Sequence, residues 1–523
     1  MPLNKQGMLN GKARALATGM LLAAVVPVHA QTDSLARHYA NTITQADLRA
    51  RLEILASDSF MGRETGTEGQ RLAAHYILEQ FRSCGIPPVP GATGRGLEAD
   101  GYRQLFPVEV IRTGGLSMAV AGRSYTFLQD YAYFTESLRS DLDVAEVMVL
   151  APVSLGGAKL GGASQVVMLL QDRQTQDDPH AMAAQAMEAL ANTGTKVLLM
   201  VHEQARAIME QRGSFITREH MRLATDNGSR TRSGGAGVQV ILITPELAQA
   251  ILDHGKVSLK KAAATAGKKR LIIKVPVRFT YASRNGPATG ENVLGFISGS
   301  DKKDELVVVT AHYDHVGVID GEVYNGADDD GSGTVAVLGM AKAFAKAKAE
   351  GHGPRRSMLF MTVSGEEKGL LGSRWYTDHP VFPLDSTVAD LNIDMIGRTD
   401  TVYGDSSSYV YVIGSRRISN ELGNIIEREN DALANLHLDY TFDAADDPNR
   451  FYYRSDHYNF AKHGVPIAFF FNGVHADYHG PYDEVDKIRF DLLRQRTLLV
   501  FHTAWVLANS ETRLAKDGPE GGK

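Results

Sequence analysis

From residue 286 onward, the sequence alternates continuous apolar runs with stretches of helical periodicity. The apolar runs at 306–310, 358–363 and 465–471 indicate buried strands, and the alanine-rich stretch at 333–349 indicates an amphipathic helix. Strands that are apolar along their whole length need cover on both faces, as in the parallel sheets of α/β proteins. The pattern therefore predicts an α/β fold in which helices cover both faces of a mostly parallel mixed sheet.

The rest of the chain has a different pattern of apolar and glycine residues. A length of 523 residues indicates two or three domains, at roughly 100–200 residues per domain. Residues 31–103 have helical periodicity and are predicted to form the N-terminal helical part of the domain that continues over 286–510. Short apolar runs separated by glycine clusters predict an inserted domain at 104–285 that is β-rich or α/β, with the β-rich form favoured. A polar, glycine-rich end predicts a flexible tail at 511–523.

The first thirty residues have the pattern of a secretory signal peptide. A basic segment ending at Arg14 precedes an apolar stretch at 15–28, and small residues surround a possible cleavage site after Ala30. The apolar stretch is too short to span a bilayer comfortably. We therefore expect a signal peptide at 1–30 and an exported protein, periplasmic or secreted, with no membrane anchor after cleavage. An uncleaved anchor or an ordinary first helix is the alternative.

Composition restricts the chemistry of any functional site. The single cysteine, Cys84, excludes an intrachain disulfide and a thiolate metal cage, and it is expected to be a buried small apolar residue. A net charge of −6 gives no electrostatic footprint for nucleic acid, which is therefore not an expected partner. A bound metal would have to be held by histidine, aspartate and glutamate.

Acidic and imidazole side chains follow the ends of the predicted strands. In open α/β sheets, ligands bind beyond the carboxyl ends of the strands, so these side chains are expected to meet at one rim. They are His312, Asp314 and His315 after the strand at 306–310, the aspartates at 328–330 in the following loop, Glu366 and Glu367 after the strand at 358–363, Asp394 after a further predicted strand that ends at 391–393, and His475, Asp477 and His479 after the strand at 465–471.

Each of these residues has a purely structural explanation when it is taken alone. Three consecutive aspartates can form a turn with an N-cap, and paired glutamates at a helix start can complement the helix dipole. Together, however, several carboxylates at one rim repel one another and lose hydration unless a cation compensates them. Because zinc accepts a mixture of imidazole and carboxylate ligands, the set predicts a site for one or two divalent cations.

The ordered motifs resemble the co-catalytic di-zinc aminopeptidase family, which includes secreted leucine aminopeptidases, aminopeptidase S, aminopeptidase Y and glutamate carboxypeptidase II. The resemblance implies a three-layer α/β/α zinc-exopeptidase domain with two Zn²⁺ ions, an inserted protease-associated-type domain, and hydrolysis of amino-terminal residues from peptide substrates. It covers about 286–505 strongly and 36–103 more loosely. The motifs that carry it are His-x-Asp at 312–314, Gly-Ala-Asp-Asp-Asp-Gly-Ser-Gly at 326–333, Gly-Glu-Glu at 365–367, Asp394 and His479.

The resemblance also implies the metal ligands by matching position. His312 and Asp394 would hold one zinc ion, and Glu367 and His479 would hold the other. Asp329, the middle aspartate of the triplet, would bridge the two ions, and the peptide bond that follows it would be cis.

Further roles are implied for residues that do not hold metal. Glu366 is similar to the family's general base, and Asp314 is similar to the carboxylate that orients the preceding histidine ligand. Tyr478 resembles a tyrosine that donates a hydrogen bond to the tetrahedral intermediate, although Tyr452 or Tyr453 on another loop is a rival for this role.

Several residues near the motifs have no matched ligand position, and other functions stay open. A carboxypeptidase or dipeptidase of the same fold would need a basic pocket, for which Arg398 and Arg454 are candidates. A one-zinc glutaminyl cyclase and a non-catalytic binding protein are further alternatives, and the oligomeric state is left open. The unmatched residues are His315, His457, His475, Asp456 and Asp477, and the segment at 454–457 is expected to line the pocket.

Overall fold

The computed structural model describes residues 28–111, 116–134, 141–152, 164–171, 179–191, 193–217, 219–225, 238–267, 270–281, 286–404 and 407–521. The predicted signal peptide, 1–30, lies outside the described residues except for its last three, which begin the first helix. Within the described part of the chain, no helix is long and apolar enough to cross a membrane.

The α-helices of the described residues belong to three stretches of the chain. They are α1 (Val28–Ala40), α2 (Gln45–Leu55), α3 (Glu68–Ser83), α4 (Pro179–Leu190), α5 (Ala205–Thr217), α6 (Pro245–Asp253), α7 (Leu259–Ala266), α8 (Gly333–Ala349), α9 (Leu371–Asp378), α10 (Asn420–Glu429), α11 (His457–Ala461) and α12 (Phe490–Asn509).

The strands form two large sheets and one short hairpin. They are β1 (Arg103–Ile111), β2 (Leu116–Val120), β3 (Arg123–Tyr125), β4 (Tyr131–Tyr133), β5 (Leu142–Leu150), β6 (Val166–Leu169), β7 (Val197–Val201), β8 (His220–Leu223), β9 (Gln239–Ile243), β10 (Leu271–Tyr281), β11 (Gly286–Ile297), β12 (Lys302–His312), β13 (Gly317–Ile319), β14 (Glu322–Tyr324), β15 (Arg356–Val363), β16 (Thr387–Ile393), β17 (Tyr409–Ile413), β18 (His437–Asp439) and β19 (Ile467–Phe471).

The larger sheet has the strand order β18-β17-β19-β16-β12-β15-β11-β1-β8. Its central strands, β19, β16, β12 and β15, run parallel to one another. Toward the two edges, β17 pairs antiparallel with β19, and β11, β1 and β8 continue the sheet in antiparallel order. The predicted mixed α/β fold is confirmed. The parallel strand pairs lie mainly at the centre of the sheet, because β1 and β11 join it in antiparallel orientation.

Alternating side chains of β12 show how the sheet is covered. Val307 and Val309 face a core that α1, α2, α3, α8, α10 and α12 complete on one side. Leu306 and Val308 face a second core that α9 and α11 complete on the other side. Because successive side chains of a strand point to opposite faces, both faces are buried, and the domain has three layers.

The second sheet has the order β3-β2-β10-β5-β6-β7-β9-β4, with β5, β6, β7 and β9 parallel. Helices α4 and α5 pack on one of its faces, and α6 and α7 pack on the other. The segment predicted as β-rich thus has α/β character here, while its strands β1 and β8 belong to the larger sheet. Its protease-associated type and the predicted domain boundaries stay predictions.

Two local expectations differ from the structure. Cys84 ends α3 and is only partly buried, because it follows the last buried turn of that helix. The segment predicted as a flexible tail is attached to the domain as far as residue 521: the backbone amides of Gly518 and Glu520 donate hydrogen bonds to the carbonyl groups of Ile418 and Arg417.

Candidate active site

The carboxyl ends of the central strands bring the predicted site residues together. His312 is the last residue of β12, and Asp394 directly follows β16. Glu366 and Glu367 follow β15 after two residues, and His479 lies in the loop after β19. Since β12 lies between β15 and β16 in the sheet, these ends are neighbours.

One cluster, the first ligand group, consists of His312, Asp329 and Asp394. The Nε2 atom of His312 lies 3.3 Å from Oδ1 of Asp329 and 3.6 Å from Oδ1 of Asp394. All three residues are buried, and one ligand atom from each lies within 4.8 Å of the others. The geometry suits one cation held by three protein ligands.

A second cluster, the second ligand group, consists of Asp329, Glu367, His479 and His315. The Nε2 atom of His479 lies 3.1 Å from Oδ2 of Asp329 and 3.1 Å from Oε2 of Glu367. The Nδ1 atom of His315 lies 3.0 Å from Oε1 of Glu367. Asp329 turns Oδ1 to the first group and Oδ2 to the second, so its carboxylate has the placement that a bridging ligand requires.

Unsatisfied polar atoms show that the second group fits a metal ion. Oδ2 of Asp329, Oε1 of Glu367 and both ring nitrogens of His315 are buried without a hydrogen-bond partner among the described residues. Buried polar groups are rarely left in this state. Ligand bonds of about 2.0–2.2 Å to tetrahedral zinc place neighbouring ligand atoms roughly 3.3 Å apart, close to the 3.0–3.3 Å contacts of the two groups.

The electrostatics of the cluster favour a bound cation. Burial lowers the pKa of His479, but the carboxylates of Asp329 and Glu367 outweigh burial and raise this pKa to about 10. Burial also opposes protonation of His312, yet the charges of Glu366 and Asp394 raise its pKa well above the ordinary value. The carboxylates therefore attract positive charge strongly enough to overcome the desolvation of a protonated imidazole. A divalent metal ion would compensate the same negative charge.

The three consecutive aspartates have three different partners. Oδ1 of Asp328 accepts a hydrogen bond from the amide of Gly397 at 2.6 Å. Oδ1 of Asp330 accepts the amides of Gly333 and Met395 at 2.8 and 3.0 Å, so it caps the start of α8. Only the middle residue, Asp329, reaches both ligand groups, and the peptide bond that follows it is cis, as the resemblance implies.

Two charged residues that the sequence analysis missed hold the loops of the site. The guanidinium of Arg63 is fully buried and donates hydrogen bonds to the carbonyl groups of Leu55, Tyr313, Asn325 and Gly326 at 2.6–3.0 Å. It thereby ties the loop after β12 to the loop that carries Asp329. Burial lowers the pKa of Arg63 to about 10, so the side chain remains charged at neutral pH.

Asp483, in the loop after β19, secures the aspartate loop. Its carboxylate accepts the backbone amide of Asp328 at 3.0–3.1 Å and that of Asp329 at 3.0 Å. These bonds fix the backbone from which the Asp329 carboxylate projects. No motif marked Asp483, and only its position in a loop near His479 could have suggested a role.

Asp314 is close to His312, but in a different way from the one expected. Nδ1 of His312 lies 3.0 Å from the backbone carbonyl of Asp314, whereas the nearest oxygen of the Asp314 carboxylate is 3.7 Å away. The carboxylate instead accepts the hydroxyl of Thr65 at 2.7 Å and the amide of Glu366 at 3.3 Å. In this arrangement it positions the turn that carries the glutamate pair.

Several other predicted residues lie outside the two ligand groups. His475 is paired with Asp328 at 3.3 Å, and His457 donates from Nε2 to the carbonyl of Tyr452 at 2.8 Å. Asp456 is buried near the floor of the site, where burial raises its pKa to about 7. The expected basic residue Arg398 is paired with Asp477 at 3.0 Å.

Comparison with known proteins places this domain in a family. Residues 292–504 match the model of Peptidase family M28. The chain carries a peptidase domain of family M28. Aminopeptidase YwaD of Bacillus subtilis (strain 168) is 28% identical over 233 residues, which are 43% of this chain and 46% of that protein. The chain thus spans less than half of the length of the curated relatives it matches.

Solved structures of aminopeptidases share the fold. The aminopeptidase from Aneurinibacillus sp. strain AM-1 has a TM-score of 0.53 and 17% identity, and the match covers 92% of this chain and 98% of that one. BSAP, a zinc aminopeptidase from Bacillus subtilis, has a TM-score of 0.50 and 18% identity, and the match covers 92% and 99% of the two chains. The expected family and the mixed α/β fold are both confirmed.

We expect Asp483→Asn to weaken zinc binding by about 10–100-fold, the usual effect of losing a residue that supports a metal ligand. The asparagine keeps the shape of the side chain but replaces one acceptor of the Asp328 and Asp329 amides by a donor. Competition with a chromophoric chelator measures the affinity. Asp477→Asn is the matched control, because its carboxylate pairs with Arg398 and Lys487 outside the ligand groups. Equal affinities in the two variants would contradict the role given to Asp483.

Proposed function

We propose that this chain is an exported di-zinc metallopeptidase that removes amino-terminal residues from peptides. The observation that carries the proposal is a cavity that opens beside the first ligand group. His312, Asp329, Asp394 and Glu366 form its polar end. Its apolar wall is lined by Met395, Phe451, Phe469, Phe471 and Val474.

The cavity combines the two requirements of an exopeptidase. The carboxylates at the polar end would attract the ammonium group of a free peptide amino terminus, and the apolar wall would receive the first side chain. Apolar amino-terminal residues are therefore the preferred substrates under this proposal.

Glu366 is the proposed general base. Zinc, when bound, would lower the pKa of water and polarise the scissile carbonyl group. Oε2 of Glu366 lies 3.9 Å from Nε2 of His312, and the side chain faces the cavity. Burial, together with the charges of Asp394 and Glu367, raises the pKa of Glu366 well above its ordinary value. A raised pKa suits a carboxylate that accepts a proton from the attacking water and passes it to the leaving amine.

Tyr478 is the proposed hydrogen-bond donor to the oxyanion. Its ring stacks on that of His479 at a centroid distance of 3.9 Å, and the side chain lines the cavity. Burial raises the pKa of Tyr478, so the phenol keeps its proton. The rivals are less well placed: the hydroxyl of Tyr452 donates to Glu520 at 3.3 Å, and Tyr453 is exposed on the surface.

A carboxypeptidase is the second candidate, and one observation favours it. Arg454 is exposed and lines the same cavity, with Nη2 3.5 Å from the hydroxyl of Tyr478. A guanidinium at this position could bind the carboxylate of a peptide carboxyl terminus. Its rival Arg398 is paired with Asp477 and is not among the residues that line the cavity.

A substrate screen under metal control tests the proposed function. We expect hydrolysis of aminoacyl substrates with apolar side chains, loss of this activity with a chelator, and recovery with zinc. The same substrates with an acetylated amino group are the matched controls, because they cannot present an ammonium group. Cleavage of N-blocked acidic dipeptides in preference to free aminoacyl substrates would favour the carboxypeptidase instead.

We expect Glu366→Gln to lower kcat by at least about 10²–10⁴-fold, because the amide cannot accept the proton. Zinc content, measured by atomic absorption, should be unchanged, since Glu366 is not assigned as a ligand. Glu367→Gln is the comparison variant, and it should lose zinc as well as activity. A fully active Glu366→Gln variant would refute the assignment of the base.

We expect Tyr478→Phe to lower kcat by about 10²–10³-fold, the effect of removing one oxyanion donor. KM should change little, because the apolar part of the side chain remains. Tyr453→Phe serves as the control on the rival tyrosine, and steady-state kinetics on one aminoacyl substrate compare the two variants. A larger loss in Tyr453→Phe than in Tyr478→Phe would reverse the assignment.

A further inference from the structure

We propose that His315 is a fourth protein ligand in the second group, so that this metal position is closed by protein atoms while the first position remains open to the cavity. The inference rests on the proposed di-zinc function and adds a ligand that the matched motifs do not assign. It makes the two metal positions unequal in coordination and in affinity.

His315 is a buried imidazole whose polar contacts are carboxylate oxygens of the second group. It lies three residues beyond the end of β12 and has no exposed surface. Neither ring nitrogen has a hydrogen-bond partner among the described residues. Burying a polar group without a partner costs free energy, so an imidazole held in this way calls for a ligand.

The geometry directs that imidazole to the second group. Nδ1 of His315 lies 3.0 Å from Oε1 of Glu367 and 3.8 Å from Oδ2 of Asp329. Despite the short distance, Nδ1 and the Glu367 oxygen both lack a hydrogen-bond partner within the described structure, as does the Asp329 oxygen. Atoms that approach closely without aligning as donor and acceptor are the arrangement expected of ligands that share one metal ion.

The ring of His315 packs directly against the backbone of Gly326. Gly326 has φ +52°, and a Cβ atom there would lie 2.5 Å from Cγ and Cδ2 of His315. The carbonyl group of Gly326 is in turn held by the Arg63 guanidinium at 2.9 Å. The glycine therefore leaves the space in which the imidazole lies against the ligand group.

The two metal positions then differ in their number of protein ligands. Ligand atoms of His315, Asp329 and Glu367 lie within 4.8 Å of one another, and His479 contacts the same two carboxylates at 3.1 Å. With His315 and His479 both bound, the second group would have four protein ligands, the number of a closed tetrahedral site, whereas the first has three, the number of a catalytic site with an open position. The cavity agrees with this division. Of the described residues that line it, His312, Asp329 and Asp394 are first-group ligands, whereas His315, Glu367 and His479 are not among them.

Two measurements on the full chain test the inference. Zinc is added in steps in competition with a chromophoric chelator, and X-ray absorption at the zinc edge counts imidazole ligands at one zinc per chain. We expect the wild type to show a tight and a weaker binding step, with about two imidazoles on the tightly bound ion. In His315→Asn, the tight step should weaken more than about 100-fold, beyond the 10–100-fold effect of an outer partner, and the count should fall to one.

His457→Asn is the matched control, since His457 is also fully buried in this domain but is bonded to the Tyr452 carbonyl. It should leave the tight step and the imidazole count unchanged. A weaker tight step in His315→Asn with an unchanged count would mean that His315 acts through Glu367, which overturns the inference. The number of imidazole ligands per zinc in the wild type tests the inference without any variant. Two bound zinc ions with one imidazole each would refute the inference and leave the proposed function standing. If the wild type bound no zinc, the proposed function would be refuted together with the inference.

Discussion

Repulsion among buried carboxylates at the carboxyl ends of β12, β15 and β16 is the constraint on which the arrangement of the site depends. Parallel neighbours deliver Asp394 and the glutamate pair to the same edge, where the aspartate loop adds Asp329. These groups have little water around them, so their charges are poorly screened. The raised pKa values of His312 and His479 show how strongly the cluster attracts positive charge. A fold that tolerates this cluster needs a cation there, and the same cation would provide its chemistry.

The protein restrains the cluster through the backbone rather than through more side-chain charges. Arg63 binds the carbonyl groups of two site loops, and Asp483 binds the amides that precede and carry Asp329. Thr65 joins the Asp314 carboxylate to the amide of Gly365 at the start of the glutamate turn. These residues lie far apart in sequence. The geometry of the ligands therefore depends on the closure of the whole domain, with its N-terminal and C-terminal segments packed on the same central strands.

Much of this fold and site could be predicted from the sequence because the signals are local. Apolar runs mark β12, β15 and β19, and the acidic and imidazole residues directly follow them, so their meeting at one edge followed from the topology of α/β sheets. Arg63 and Asp483 carry no such signal, because their partners are backbone groups defined only by tertiary structure. The same holds for β1 and β8, which join the larger sheet although their sequence neighbours build the second one. The aspartate triplet shows how far a motif alone can predict the site. Only the contacts in the structure distinguish Asp328 and Asp330 from Asp329.

His315 illustrates why matching by position leaves part of a metal centre unassigned. Its neighbours His312 and Asp314 match a motif, whereas its own importance comes from burial, from Gly326 opposite its ring, and from two carboxylate oxygens without a hydrogen-bond partner among the described residues. If it is a ligand, the negative charge of the second group is compensated by an ion with no free position, and that ion serves mainly to hold Asp329 and Glu367 in place. The open position beside Glu366 is then left to water and substrate. Division of the two tasks between two ions explains why all ligands of the first group line the cavity, whereas His315, Glu367 and His479 of the second are not among its lining residues.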